Sequence, residues 1–199
     1  MNSQLQSDQQ LLQIQEVSGS QAINNQAEQE LQEWEQWKEY SSEDLQFIAG
    51  KVYPFIKHKN KSIDGTHEQQ FNKLLEWVEV KRSKRIPGKV MFKLPLQDYM
   101  IDSQTRIVHK HILNELMDFM PMRAAILFDK RVAMSLKLSI EYYDLKQSVY
   151  EDHILIQVKL NNFNRKTSQA EAIIINPSTN EQICKCSLLI ALINEAPKL

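Results

Sequence analysis

Cysteine is nearly absent: Cys184 and Cys186 are the only two in 199 residues. They are too few for a disulfide framework, and one intervening residue is the wrong spacing for a zinc knuckle. Neither sign of charge is in excess, with 24 Lys and Arg against 25 Asp and Glu. A near-neutral chain makes neither a general nucleic-acid coat nor a polyacidic scaffold. No apolar run approaches the roughly 18 residues of a membrane span; the longest, Ser187 to Ile193, is strand-sized. Positive charge is missing before Lys38. A secretory signal needs a basic start before an apolar core, and an organelle presequence is Arg-rich and poor in acids. Residues 1–37 instead carry Asp8, Glu16, Glu28, Glu30, Glu33 and Glu35. The expectation is an intracellular, soluble, metal-free protein with no membrane span. A presequence-independent route into an organelle stays open.

What is present divides the chain into three parts. Residues 1–26 form a low-complexity tail rich in Gln, Asn and Ser. Its glutamines offer too little apolar surface to offset backbone entropy. Residues 27–75 read as a helical extension. Leu31, Trp34 and Trp37 recur at one-turn spacing over residues 27–40. Ser41-x-x-Asp44 is a capping-box pattern before Leu45, Ile48 and Val52, and Thr66-x-x-Gln69 is a second cap signal before Phe71, Leu74 and Leu75.

The texture changes near Trp77, opening a domain over residues 76–194. Trp77 to Lys81 and Val90 to Leu96 alternate apolar and polar residues around an Ile86-Pro87-Gly88 turn, with Pro95 marking a strand end or edge. Residues 110–127 carry a wide apolar stripe, as expected of a helix wrapped on several sides. Strand runs follow at Val132 to Tyr143, His153 to Leu160 and Thr167 to Ile175. The turn Asn176-Pro177-Ser178-Thr179-Asn180 leads to the last, Gln182 to Ile193. Short consecutive connections require an antiparallel sheet. One long helix against such a sheet predicts an α+β hotdog fold.

The residues around that helix carry a resemblance. His109, Asp118 nine residues on, Ser135, and the strand Leu138-Ser139-Ile140-Glu141-Tyr142 keep a common register, and Pro87-Gly88-Lys89-Val90 resembles the turn before a second strand. Together they resemble the hotdog acyl-CoA thioesterases, in the small branch with an HGG signature at the start of the central helix. The resemblance implies a CoA thioester as substrate and no cofactor. It implies Asp118 as general base or nucleophile, Ser135 as a water-positioning residue, and His109 beside the thioester carbonyl. Substrate contacts fall to Lys110 and His111 and to Ser103, the family's polarising Asn falling near Asp102 or Ser103. It also implies a second hotdog subunit, identical or homologous, because the carboxylate of one subunit serves the site of the other. Nine residues of helix place Asp118 about 13 Å from His109, consistent with a shared site.

The departures are chemical. The two glycines after the motif histidine are Lys110 and His111 here, and the small residue upstream, usually Gly, is Arg106. Glycine permits close approach of backbone and ligand; a long charged chain at 110 crowds the thioester. Pro121 removes a helical N–H three residues after Asp118 and is expected to kink the helix there.

Without the resemblance, Asp118 reads as an interface or capping carboxylate and Ser135 as an ordinary strand serine. The paired cysteines and the Met117, Met120, Met122 and Met134 cluster then read as core packing. His109 and His111 do not share a helix face, and no third metal ligand is in view. The basic run Lys81 to Lys89 is a solvated face or a phosphate contact; without interleaved aromatics, nucleic acid is not expected.

Two readings remain. One is an acyl-CoA thioesterase using Asp118, Ser135 and His109. The other is a hotdog subunit without catalysis, built into a larger assembly through residues 1–60, with Trp34, Trp37 and Phe47 as anchors. Family association suggests a mitochondrial complex as its home, with the cytoplasm as the alternative.

Overall fold

The computed structural model describes residues 33–39, 78–129, 131–162 and 166–193. The expected tail of residues 1–26, the helices expected after Ser41 and Thr66, and Phe47 lie outside the described residues.

Among the described residues there are seven strands, one 3₁₀ turn (Asp98–Met100) and one long helix. The strands are β1 (Lys38–Glu39), β2 (Glu79–Arg82), β3 (Lys89–Pro95), β4 (Val132–Tyr142), β5 (His153–Asn161), β6 (Thr167–Ile175) and β7 (Gln182–Ile193), with helix α1 (Lys110–Phe128) between β3 and β4. All pairings are antiparallel, in the order β1-β2-β3-β5-β6-β7-β4. The chain runs from β3 through the helix to the far edge, lays down β4 there, and returns to pair β5 with β3. Two hairpins then bring β7 against β4. This is the α+β architecture the sequence predicts, with strands β3 to β7 and the helix within two residues of their expected bounds.

Local chemistry accounts for the turns. Between β2 and β3, Ser83 Oγ accepts from the backbone N–H groups of Arg85 and Ile86, and Gly88 takes φ 78°, where a Cβ would be costly. Pro95 pairs with His153 at the end of β3, an interior strand, so it marks a strand end and not an edge. Strict alternation on the sheet sends Val90, Phe92 and Leu94, Ile154, Ile156 and Val158, and Leu188, Ile190 and Leu192 to one buried face. Ile112, Leu113, Leu116, Met117, Met120 and Ala124 of α1 join them in one core. Each fully buried aliphatic contributes about 1.5–3 kcal/mol. The sheet positions in the middle of that face are small: Ala170, Ala172, Cys184 and Cys186. They leave room for the helix to approach.

Residues 34–39 correct the helical expectation for that stretch. They are extended, and β1 pairs with β2. Trp34 bridges Ser83 and is 6% exposed, Glu33 Oε1 lies 2.5 Å from Lys89 Nζ, and Lys81 Nζ sits 4.6 Å over the Trp37 ring. The one-turn spacing of tryptophans arises from two rings flanking one lysine beside a strand, not from a helix face. Trp34 therefore anchors on its own sheet.

Candidate functional site

The approach to α1 is a small, tightly bonded hairpin. Ile101 bridges Val108, Asp102 N–H donates to Ile107 O, and Arg106 N–H donates to Asp102 O. Asp102 Oδ1 accepts from the Gln104 and Thr105 N–H groups and from the Thr105 hydroxyl. Those bonds, led by Thr105, hold its carboxyl below the ordinary range, with a smaller contribution from His109. Asp102 is thus committed to its own turn, and the adjacent Ser103 lies exposed at the tip.

Arg106 closes the hairpin at φ 59°, the left-handed region. That is why a glycine suits this position. The guanidinium reaches across to the loop before β5, donating from Nε to Val149 O at 3.1 Å and from Nη2 to Glu151 O at 2.9 Å. Val149 N–H returns a bond to Arg106 O at 3.0 Å.

His109 is the residue before the helix, held by its N–H on Met100 O, and no side chain caps the first turn. Free N–H groups at a helix start form a positive end suited to negative charge. Here the neighbouring side chains are basic. The rings of His109 and His111 stack with centroids 5.5 Å apart, and Lys110 Nζ lies 4.6 Å over the ring of Tyr142 on β4. The Tyr142 hydroxyl donates to Asn114 Oδ1 one turn further along the helix. Burial is the main cause of the raised Tyr142 pKa. Lys110, Asn114 and Tyr142 therefore form one cluster across the gap between the helix start and β4.

Further along α1, Asp118 is half-buried, and its Oδ1 is sealed from solvent with no hydrogen-bond partner among the described residues. The helix runs unbroken through the buried Pro121. Proline has no N–H to give the carbonyl four residues earlier, that of Met117. Cys186 Sγ on β7 donates to that carbonyl at 3.4 Å. A thiol from the sheet replaces the missing helical donor. Burial pushes the Cys186 thiol up to about 11 and that of Cys184 to about 12, so both keep their protons.

Ser135 lies opposite the buried Ile190, on the helix-facing side of β4, next to a bulge at Leu136. The structure brings Lys110 to Tyr142 and His109 to His111, while Ser103 lies exposed in its turn. Sequence reasoning missed Asn114 and the roles of Tyr142 and Arg106. Asn114 was visible as the residue one helical turn after Lys110.

One long helix on one face of an antiparallel sheet in this strand order is the hotdog fold. Zebra fish thioesterase superfamily member 2 superposes with a TM-score of 0.50 at 18% identity, covering 72% of this chain and 96% of its own. A further protein from the thioesterase superfamily superposes with a TM-score of 0.51 at 16% identity, covering 76% of this chain and 99% of its own. At such identity the likeness establishes the fold. No family model and no curated protein matches the sequence. Among the described residues, no helix is long and apolar enough to cross a membrane.

Proposed function

We propose that this chain is a thioesterase-like hotdog protein whose substrate entrance is closed, and that it serves as a structural subunit paired with another hotdog domain. The observation that carries this reading is the cluster at the helix start. In the resembled enzymes, glycine lets the thioester lie against the helix N-terminus. Here Lys110 stands at that position and spans to Tyr142, which is tied in turn to Asn114. On this reading those side chains cover the N–H groups that would hold an oxyanion.

Assembly through the N-terminal extension, in a mitochondrial or cytoplasmic complex, belongs to the same proposal. The docking of Trp34 on its own sheet limits the anchoring part to other residues of 1–60.

A second reading, an active acyl-CoA thioesterase, has one observation in its favour. Asp118 keeps a carboxylate oxygen out of solvent and without a partner among the described residues, as suits a base held for a reaction. Ser135 and His109 are then its companions.

Calorimetric titration with CoA and a non-hydrolysable acyl-CoA analogue separates the two. The closed-entrance reading expects no binding heat with wild type and measurable binding once Lys110→Gly and His111→Gly are combined. Micromolar binding by wild type, unchanged in the double variant, contradicts it.

A further inference from the structure

We propose that Ser83 is a phosphorylation site, and that phosphorylation there and docking of the Trp34 segment on the sheet exclude one another. The inference is independent of the closed entrance and concerns how residues 33–39 are held.

The sequence around the hydroxyl is Lys81-Arg82-Ser83-Lys84-Arg85, and no other serine or threonine of the chain has two basic residues on each side. Kinases choose substrates partly by charge pattern. This pattern suits a kinase whose substrate groove is acidic.

Three residues stand in a row across the β1–β2–β3 side of the sheet. Trp34 bridges Ser83, and the Ser83 N–H donates to Lys89 O at 2.9 Å, continuing the β2–β3 register. Opposite residues of antiparallel strands share a face, so Ser83 lies between Trp34 and Lys89. Lys89 spans it: Nζ sits 4.8 Å over the Trp34 ring and 2.5 Å from Glu33 Oε1. Lys81, two residues before Ser83 and on the same face, reaches both tryptophans, at 5.2 Å to the Trp34 ring and 4.6 Å to the Trp37 ring. The backbone adds a short ladder. β1 pairs with β2 over two residues, and the Glu35 N–H to Arg82 O and Lys84 N–H to Glu33 O bonds flank the bridge. Two lysines, a carboxylate and two rings thus hold residues 33–39 around one hydroxyl.

Phosphorylation rearranges those charges. Ser83 Oγ attacks the γ-phosphorus of a nucleoside triphosphate, and the Oγ–P bond forms as the bond from that phosphorus to the β–γ bridging oxygen breaks. The nucleoside diphosphate leaves, and the hydroxyl proton passes to the kinase's base. The product carries about two negative charges and three strong acceptor oxygens. It draws Lys81 and Lys89 away from the rings and from Glu33, and it repels the Glu33 and Glu35 carboxylates. In the docked state Oγ is itself engaged, accepting from the Arg85 and Ile86 N–H groups at 3.2 and 2.9 Å. A kinase therefore acts on the lifted form. Lifting favours phosphorylation and phosphorylation favours lifting, by the same free energy.

Two measurements on the full chain test this. In the first, phosphoserine is placed at position 83 during synthesis and amide hydrogen exchange is followed. The Glu35 and Lys84 N–H groups should exchange about tenfold faster than in wild type, while β5 to β7 stay protected. Unchanged exchange at Glu35 and Lys84 overturns the coupling, and lost protection throughout β5 to β7 contradicts a segment that lifts alone. In the second, wild type and Glu33→Gln are treated with Mg-ATP and a kinase selective for serine flanked by basic residues, and the modified positions are read by mass spectrometry. Glu33→Gln removes one hold on Lys89 and leaves the core intact. Ser83 should then be modified about fivefold faster than in wild type. Equal rates overturn the exclusion, and modification that passes over Ser83 in both proteins overturns the site.

Discussion

At the scale of single residues, the pairing of Pro121 with Cys186 links a sequence irregularity to a tertiary compensation. Proline leaves the Met117 carbonyl without its helical donor, and a thiol 3.4 Å away supplies one. Removing the sulfur as Cys186→Ala leaves a small void and an unsatisfied buried acceptor, for a loss of about 1–3 kcal/mol. In a Pro121→Ala background the helix regains its own donor. The Cys186→Ala penalty should then shrink by about 0.5–1.5 kcal/mol. Chemical denaturation of the four proteins measures this; equal penalties in both backgrounds contradict it. The same thiols set an alkaline limit. Their folded pKa values, about 11 and about 12, lie above the ordinary 9.0. The stability they favour is full below about pH 9 and is lost as pH rises from there toward about 11. Denaturation midpoints should fall over that interval in wild type and less in Cys184→Ala; a flat profile contradicts the burial of the thiols.

Residue-level legibility was uneven for a physical reason. The departures at Arg106 and Lys110 are plain in the sequence, but their consequences depend on residues distant along the chain. Arg106 holds Val149 and Glu151, and Lys110 finds Tyr142. The Cys186 bond to Met117 was hidden for the same reason, because pairing a helix carbonyl with a strand thiol requires the register of β7 on the helix.

At the scale of elements, β3 to β7 and the helix were legible because alternation and turn chemistry agree along each of them. Residues 34–39 depart from the helical expectation because a three-residue spacing of tryptophans, without a supporting cap, is too weak a sign of periodicity. The sheet decides otherwise at 34–39, where Trp34 fills the edge beyond β2 and Lys81 lies between the two rings. Trp34 is thus a part of the folded domain. Trp34→Ala should cost about 3 kcal/mol of unfolding free energy, read as a fall in the denaturation midpoint. An unchanged midpoint contradicts its role here and makes Trp34 again available to a partner chain. The bulge at Leu136 was not legible, since one extra residue leaves the alternation on either side intact.

At the scale of the whole molecule, one sheet carries two unlike edges among the described residues, and one helix carries basic side chains at its start and a half-buried carboxylate in its middle. The β1 edge is two residues long and exposed, and the β4 edge is eleven residues long. The helix start carries the basic side chains of His109, Lys110 and His111, while Asp118 lies about two and a half turns along. A hotdog enzyme needs the helix start open and a carboxylate delivered to it. On the proposed reading, this chain keeps the helix that carries the carboxylate and closes the helix start. The measurement that bears most directly on this is acyl-CoA hydrolysis by the purified wild-type chain across short, medium and long acyl groups. Loss of one oriented oxyanion donor costs about 10²–10³ in rate, so a closed entrance should leave turnover at background, and Asp118→Ala should change nothing. Turnover at an ordinary enzymatic rate, abolished by Asp118→Ala in a protein that remains folded, would contradict the account and make Asp118 the catalytic base.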